Sequence, residues 1–303
     1  MNGPAALAST SATAGPYLTT KLHGLDARLQ QVEPRVRATQ QDADACHDLR
    51  VALRRTRTVL EVGRKVLGRF HADEVRRALR DLQRATGALR DEEVLLEVVA
   101  ALGVDRPDVT TWVETRRRRE HAQRLALMHL VQAGQLQHGR ELLGALLAFR
   151  VDPSRDRRLA KFAKRAVDRA RREVERQRAA GLDDASALHD LRIAYKRLRY
   201  TVEALTDALP SDMAALAATA AKIQKRLGDV HDVDVAIGAV RRARTLTEEG
   251  RADLLAALYR LRENRIGAYA RELGVAVAPS VPPEERIERQ AAGADSLRKI
   301  STR

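Results

Sequence analysis

The 303-residue chain carries 55 Lys and Arg against 41 Asp and Glu, a formal net charge of +14, with 44% hydrophobic but only 3% aromatic residues. That is enough apolar material for one large domain or two medium ones, and the prevalence of Ala, Leu, Arg and Glu favours an all-α fold, because these side chains lose little freedom in a helix. A single cysteine, Cys46, excludes an internal disulfide or a cysteine-based metal cluster, and no apolar run approaches the roughly 20 residues of a bilayer span.

Met1 to Pro16 is small and polar and lacks the features of a secretory signal, so it is expected to be a disordered tail of a cytoplasmic protein. The first helix is expected from Tyr17 to about Gln40, with Leu18, Leu22, Leu25, Leu29 and Val32 on one stripe and Pro34 placed to kink its end. Asp44 is the expected N-cap of a second helix that reaches about Leu67 and stops at Gly68. A third runs from about Asp73 to Leu102. After the break at Gly103, Pro107 and Asp108, a fourth covers Val109 to Val131, and a short fifth covers Gly139 to Phe149. Asp152-Pro153 is the expected boundary between a first half, about 17–150, and a second, about 155–275. The second half repeats the layout with helices at Arg155–Ala179, Asp184–Leu209, after Pro210, and Arg251–Leu273; residues 276–303 are expected to form a mobile tail.

The repeat is also visible residue by residue. His47-Asp48-Leu49-Arg50-Val51-Ala52-Leu53-Arg54-Arg55-Thr56-Arg57 returns as His189-Asp190-Leu191-Arg192-Ile193-Ala194-Tyr195-Lys196-Arg197-Leu198-Arg199, 142 positions later. Leu82 to Asp91 matches Ile223 to Asp232 at an offset of 141. Similarity on this scale indicates duplication of a whole helical unit, and predicts two four-helix bundles related by pseudo-two-fold symmetry.

At about 100° per residue, His47, Arg50, Arg54 and Arg57 share one face of their helix, opposite Leu49, Leu53, Thr56 and Leu60. His189, Arg192, Lys196 and Arg199 repeat that row, opposite Leu191, Tyr195, Leu198 and Val202. The following helices add Arg76, Arg80 and Arg84 in the first half, and Lys222 and Lys225 in the second. Like charges at this spacing cost a few tenths of a kcal/mol per pair, so a bound anion is the expected compensation. Gly87 and Gly228 interrupt otherwise strong helices and suggest close helix approach at a cavity edge or a crossing.

The doubled pattern His-x-x-Arg-x-x-x-(Arg/Lys)-Arg-x-Arg, with Leu227-Gly228 and Asp232 in the second half, resembles the CHAD family, the conserved-histidine α-helical domain. The resemblance spans about residues 17–275. It implies two four-helix bundles around a basic central cavity that binds inorganic polyphosphate, with no demonstrated catalytic reaction. Carried over to this sequence, it assigns His47, Arg50, Arg54, Arg55, Arg57, Arg80, Arg84, His189, Arg192, Lys196, Arg197, Arg199, Lys222 and Lys225 to the polyphosphate site. Gly87 departs from the pattern by following Thr86 rather than a leucine.

The chemistry agrees, since a phosphate polymer has no base or ring to recognise and repeated charge-assisted hydrogen bonds from Arg and Lys are the available handle. Protonated histidine would add a donor and a charge under mild acid. Two other classes fit less well. A metal-dependent phosphohydrolase is suggested by His47-Asp48, His189-Asp190 and His231-Asp232, but neighbours on a helix point about 100° apart and cannot grip one metal together. Asp48 and Asp190 read as acids complementing helix N-termini, and Glu92-Glu93 as a solvated helix end. Nonspecific nucleic-acid binding is favoured by the net charge, yet the chain has few aromatics and no recognised reading motif. No catalytic residue, metal ligand or cofactor is assigned. The expected setting is the cytoplasm, in association with polyphosphate granules and without membrane insertion.

Overall fold

The computed structural model describes residues 12–38, 42–149, 151–179 and 185–273. These form α1 (Ala14–Ala38), α2 (Ala43–Gly63), α3 (Arg69–Ala78), α4 (Arg80–Ala100), α5 (Pro107–Gln132), α6 (Gln135–Ala148), α7 (Leu159–Arg178), α8 (Ala185–Leu205), α9 (Ser211–Arg241) and α10 (Glu248–Leu273). Among the described residues there is no strand beyond an isolated bridge between Thr13 and Arg158, so the fold is all-α as composition predicts.

The expected C-terminal tail lies outside the described residues, as do positions 1–11 of the expected N-terminal one. Residues 12–16, by contrast, are structured. The Ala14 N–H donates to the Arg157 carbonyl and the Leu159 N–H to the Ala12 carbonyl, both at 2.9 Å, while the Gly15 N–H donates to Asp156 Oδ1 at 2.9 Å. Small side chains here serve close approach rather than disorder: a Cβ on Gly15 would stand 3.0 Å from Val151 Cγ1.

Local chemistry moves several helix ends. Asp42, not Asp44, caps α2: its Oδ1 accepts the Ala45 N–H at 2.7 Å while Arg35 holds the same carboxylate at 3.1 Å. The helix stops at Gly63, and Gly68, with φ of 92°, precedes α3 instead of ending α2. The third expected helix is two, interrupted at Leu79 (φ −83°, ψ 1°). Val75, Leu79 and Leu82 are all buried, so the apolar period runs through the break and gives no sign of it. α1 continues past Pro34 to Ala38.

The described residues divide into two compact units, 12–94 with 115–224, and 95–114 with 225–273. Asp152 and Pro153 therefore lie inside the first unit rather than between units. The reason is packing across the repeat: α1 pairs with α2 and α7 with α8, and then α2 meets α8 and α1 meets α7. Leu18, Leu22, Leu49, Leu53, Leu60, Leu79 and Leu82 anchor this unit's core at 1% exposure or less. In the second unit Leu95, Val99, Trp112, Val233, Ile237, Leu254 and Leu258 form a separate core. There the Asp108 carboxylate accepts from the Thr247 hydroxyl at 2.7 Å and its N–H at 3.0 Å; these bonds, helped by Arg106, hold the acid down to about 2.

The element bounds bear on the repeat. α5 and α10 are both 26 residues long and lie 141 positions apart. α7 and α8 follow α1 and α2, while α9 alone spans the counterpart of α3 and α4. α6 has no counterpart among the described residues, so the first half carries six helices where the second carries four.

Close helix approach occurs away from the two glycines expected to mark it. An added Cβ on Gly87 or Gly228 would meet nothing within 4 Å, whereas one on Gly139 of α6 would overlap the buried Leu79. Gly139→Ala should therefore cost about 1–3 kcal/mol by overpacking. Gly87→Ala should stabilise the helix by up to about 1 kcal/mol. Urea unfolding of the two variants against the parent chain measures both signs.

Candidate functional site

In the first unit, α2 and α8 each bury one stripe and present one basic row. Behind the α2 row, Leu49, Leu53, Thr56 and Leu60 are fully buried. Behind the α8 row, Leu191, Tyr195, Leu198 and Val202 are buried as well. His47 and His189 stand exposed at the start of the rows, while Arg50, Arg54, Arg57, Arg192, Lys196 and Arg199 are half-buried. The 100° periodicity thus separates core from row as the sequence predicts. Because α2 packs on α8, the two rows belong to one surface region rather than two.

The outer cations of this region have carboxylate partners. Arg199 donates to Glu203 at 2.6 Å, Arg197 lies 3.6 Å from Glu61, and Arg84 lies 3.5 Å from Asp81. Arg76 pairs with Glu61 and, at 3.1 Å, with Asp73. The central ones differ. Among the described residues Arg50, Arg54 and Lys196 form no ion pair with a carboxylate. Arg54 instead lies over the Tyr200 ring at 4.6 Å, and Arg199 lies over the same ring at 5.5 Å. Two guanidinium groups on one aromatic ring gain cation–π attraction, each worth roughly 0.5–2 kcal/mol.

Burial at this centre shifts proton equilibria. Loss of water, reinforced by Arg192, Arg50 and Arg54 and opposed by Asp91, pushes the Lys196 amine down to about 8. Burial likewise lowers Arg54, with Tyr200 opposing and Arg50 and Arg199 adding to the effect. A lysine perturbed by burial and by neighbouring charge in this way marks a candidate functional site.

Next to the row, Arg57, Arg76, Arg77 and Arg80 line a small pocket of about 260 Å³ together with Asp73. The Arg57 guanidinium bonds to Gln83 and its buried Nε has no hydrogen-bond partner; the Arg76 Nε is likewise buried and unbonded. Arg55, Arg80, Arg84 and Lys222 are exposed in this unit. Lys225 is an exposed residue of the second unit. Sequence reasoning missed Tyr200, which corresponds to Thr58 at the repeat offset, and Arg77, which lies off the Arg76-Arg80-Arg84 spacing.

Three of the acids weighed against a metal site have arginine partners. Arg35 binds Asp48 at 2.7 Å, Arg116 binds Glu92 at 3.0 Å, and Arg124 binds Glu93 at 3.0 Å. Among the described residues no group of three or more His, Cys, Asp or Glu side chains converges to hold a metal, and no helix is long and apolar enough to cross a membrane. In the second unit three arginines have acidic neighbours on the other of its two long helices: Arg262 with Asp234 at 2.6 Å, Arg265 with Asp229 at 3.6 Å, and Arg226 with Glu272 at 3.8 Å.

Because the folded-state amine is depressed from 10.5 to about 8, the unfolded chain holds the extra proton between those values and stability rises with pH across that window. Lys196→Met should remove the cost, so its stability gain over the parent should be largest below pH 8 and shrink towards pH 10.5. Denaturant titrations at pH 7 and pH 10 compare the two.

The family model for the CHAD domain matches residues 22–241. The chain is similar to the solved structure of the CHAD domain from the plant Ricinus communis, at 21% identity over 89% of this chain and 95% of that one, with a TM-score of 0.71. It is also similar to PptA from Streptomyces chartreusis, at 16% identity over 87% of this chain and 100% of that one, with a TM-score of 0.64. No curated protein matches it.

Proposed function

Since the chain belongs to the CHAD domain family, a family associated with polyphosphate, we propose that it binds inorganic polyphosphate on the α2 and α8 rows and catalyses no reaction. The observation that carries this is the centre of the rows, where Arg50, Arg54 and Lys196 are brought together half-buried and without carboxylate partners. A polymer bearing about one negative charge per phosphate supplies the missing counter-charge along both rows at once. Arg50, Arg54, Arg57, Arg192 and Arg199 offer forked donors, Lys196 a compact charge, and His47 and His189 further donors at the row ends. Arg55, Arg80, Arg84, Arg197 and Lys222 would contribute longer-range attraction from exposed positions of the same unit. Such a protein would tether itself to polyphosphate granules in the cytoplasm.

Titration of long-chain polyphosphate and of duplex DNA at several salt concentrations tests the proposal. Polyphosphate should bind more tightly at physiological salt, with affinity falling steeply as salt rises. Equal affinity for DNA would contradict it. Neutralising Arg54 or Lys196 with Gln should cost about 1.5–3 kcal/mol of binding each. Arg54→Glu with Lys196→Glu should abolish binding and leave the helical signal intact.

Binding should take up a proton at Lys196, whose surroundings in the free protein are Arg192, Arg50, Arg54 and Asp91. Affinity should therefore decline as pH rises above about 8, and Lys196→Arg should flatten that decline. Incubation with divalent metals and phosphorylated substrates examines the catalytic alternative. Sustained turnover, lost in His47→Ala and His189→Ala, would overturn the noncatalytic assignment.

A further inference from the structure

The pocket of about 260 Å³ beside the rows is lined by Arg57 of α2, Arg76 and Arg77 of α3 and Arg80 at the start of α4, with Asp73 the acid in its wall. Asp73 does not balance them, because its carboxylate is already shared by Arg64 at 2.8 Å and Arg76 at 3.1 Å. Glu61 is shared in the same way between Arg76 and Arg197, and Glu74 pairs with Arg77. Among the described residues Arg57 and Arg80 form no ion pair with a carboxylate. The Nε atoms of Arg57 and Arg76 are buried and have no hydrogen-bond partner, so both groups are short of acceptors. Burial lowers the proton affinity of Arg57, and Arg76 and Arg80 add to the effect, which shows the three cations acting on one another.

The position of the pocket matters as much as its charge. Arg57 is the last member of the α2 row, roughly 10 Å along the helix from Arg50 at about 1.5 Å per residue, so a chain lying on the row meets the pocket at that end. A volume near 260 Å³ takes the last few phosphates of a chain and not a long run of it. An interior phosphate carries about one negative charge and spends two of its oxygens on its neighbours, whereas a terminal one carries about 1.5–2 and offers three acceptor oxygens. We infer that the pocket is a site for a terminal phosphate group and that the end of the polymer is its occupant. The guanidinium groups of Arg57, Arg76, Arg77 and Arg80 take the end group through charge-assisted hydrogen bonds, and the following phosphates run along the row past Arg54 and Arg50. The polymer as occupant rests on the function proposed above; the preference of the pocket for a terminal phosphate does not.

A short polyphosphate, long enough to cover row and pocket, should be titrated with its ends free and with both ends capped as ethanolamine phosphoramidates. A short chain is needed because a long one offers many interior registers for each end. The parent chain should bind the free-ended polymer at least fivefold more tightly than the capped one. In the Arg77→Gln, Arg80→Gln variant that difference should fall below twofold. Both arginines are exposed, so this variant should keep its helical circular dichroism; should it unfold, the two polymers on the parent chain decide the question. Equal affinity for the two polymers on the parent, or the same difference in parent and variant, would overturn the inference. Pyrophosphate, two end groups joined, separates the pocket from the rows. The parent chain should bind it, and the Arg77→Gln, Arg80→Gln variant should bind it at least tenfold more weakly. Pyrophosphate binding without polymer binding would overturn the proposed function and keep the pocket as a terminal-phosphate site. Polymer binding that is indifferent to the cap would keep the function and overturn the pocket.

Discussion

The contact of α2 with α8 is the interaction on which the rest of the first unit depends. Behind the rows, α2 buries Leu49, Leu53 and Leu60 and α8 buries Leu191, Leu198 and Val202, each worth roughly 1.5–3 kcal/mol of burial. Against this, like charges one turn apart, Arg50 with Arg54 and Arg192 with Lys196, cost only about 0.2–0.5 kcal/mol per pair. The leucine stripes therefore win by a wide margin, and the helices can carry an unfavourable charge pattern on their other faces. Pairing is graded across that pattern. Glu203, Glu61, Asp73 and Asp81 pair with its outer members, the Tyr200 ring lies under Arg54, and Arg50, Arg54 and Lys196 in the middle form no ion pair with a carboxylate among the described residues.

Net charge alone does not locate such a site. The second unit is also rich in arginine, yet Arg226, Arg262 and Arg265 each have an acidic neighbour on the same or a facing helix. Arg106 likewise lies near Asp108, Glu249 and Asp253. What sets the centre of the rows apart is that Arg50, Arg54 and Lys196 are half-buried without a carboxylate ion pair among the described residues, and burial there lowers the proton affinity of Lys196.

Much of this was legible in the sequence. The helical period placed His47, Arg50, Arg54 and Arg57 opposite the leucines, and the repeat found the second row without any coordinates. The all-α class followed from composition. What stayed hidden depends on packing between distant segments. Tyr200 lies outside the duplicated block and breaks the repeat, since Thr58 stands at the equivalent position, so no pattern singled it out. The break at Leu79 preserves the apolar period and is silent in it. Gly87 and Gly139 look alike as helix glycines, and only the neighbouring Leu79 distinguishes the crowded one. The Ala12–Gly15 segment reads as a tail until its backbone bonds to Asp156, Arg157 and Leu159 are seen.

If the packed rows are held in a repulsive arrangement that only an anion relieves, binding must also stabilise the fold. Thermal unfolding of the parent chain and of the Arg54→Glu, Lys196→Glu variant, each with and without saturating long-chain polyphosphate at low salt, measures that coupling directly. A polymer-induced rise in Tm for the parent that is absent in the variant is the predicted result. No rise in the parent, or the same rise in both, would contradict it.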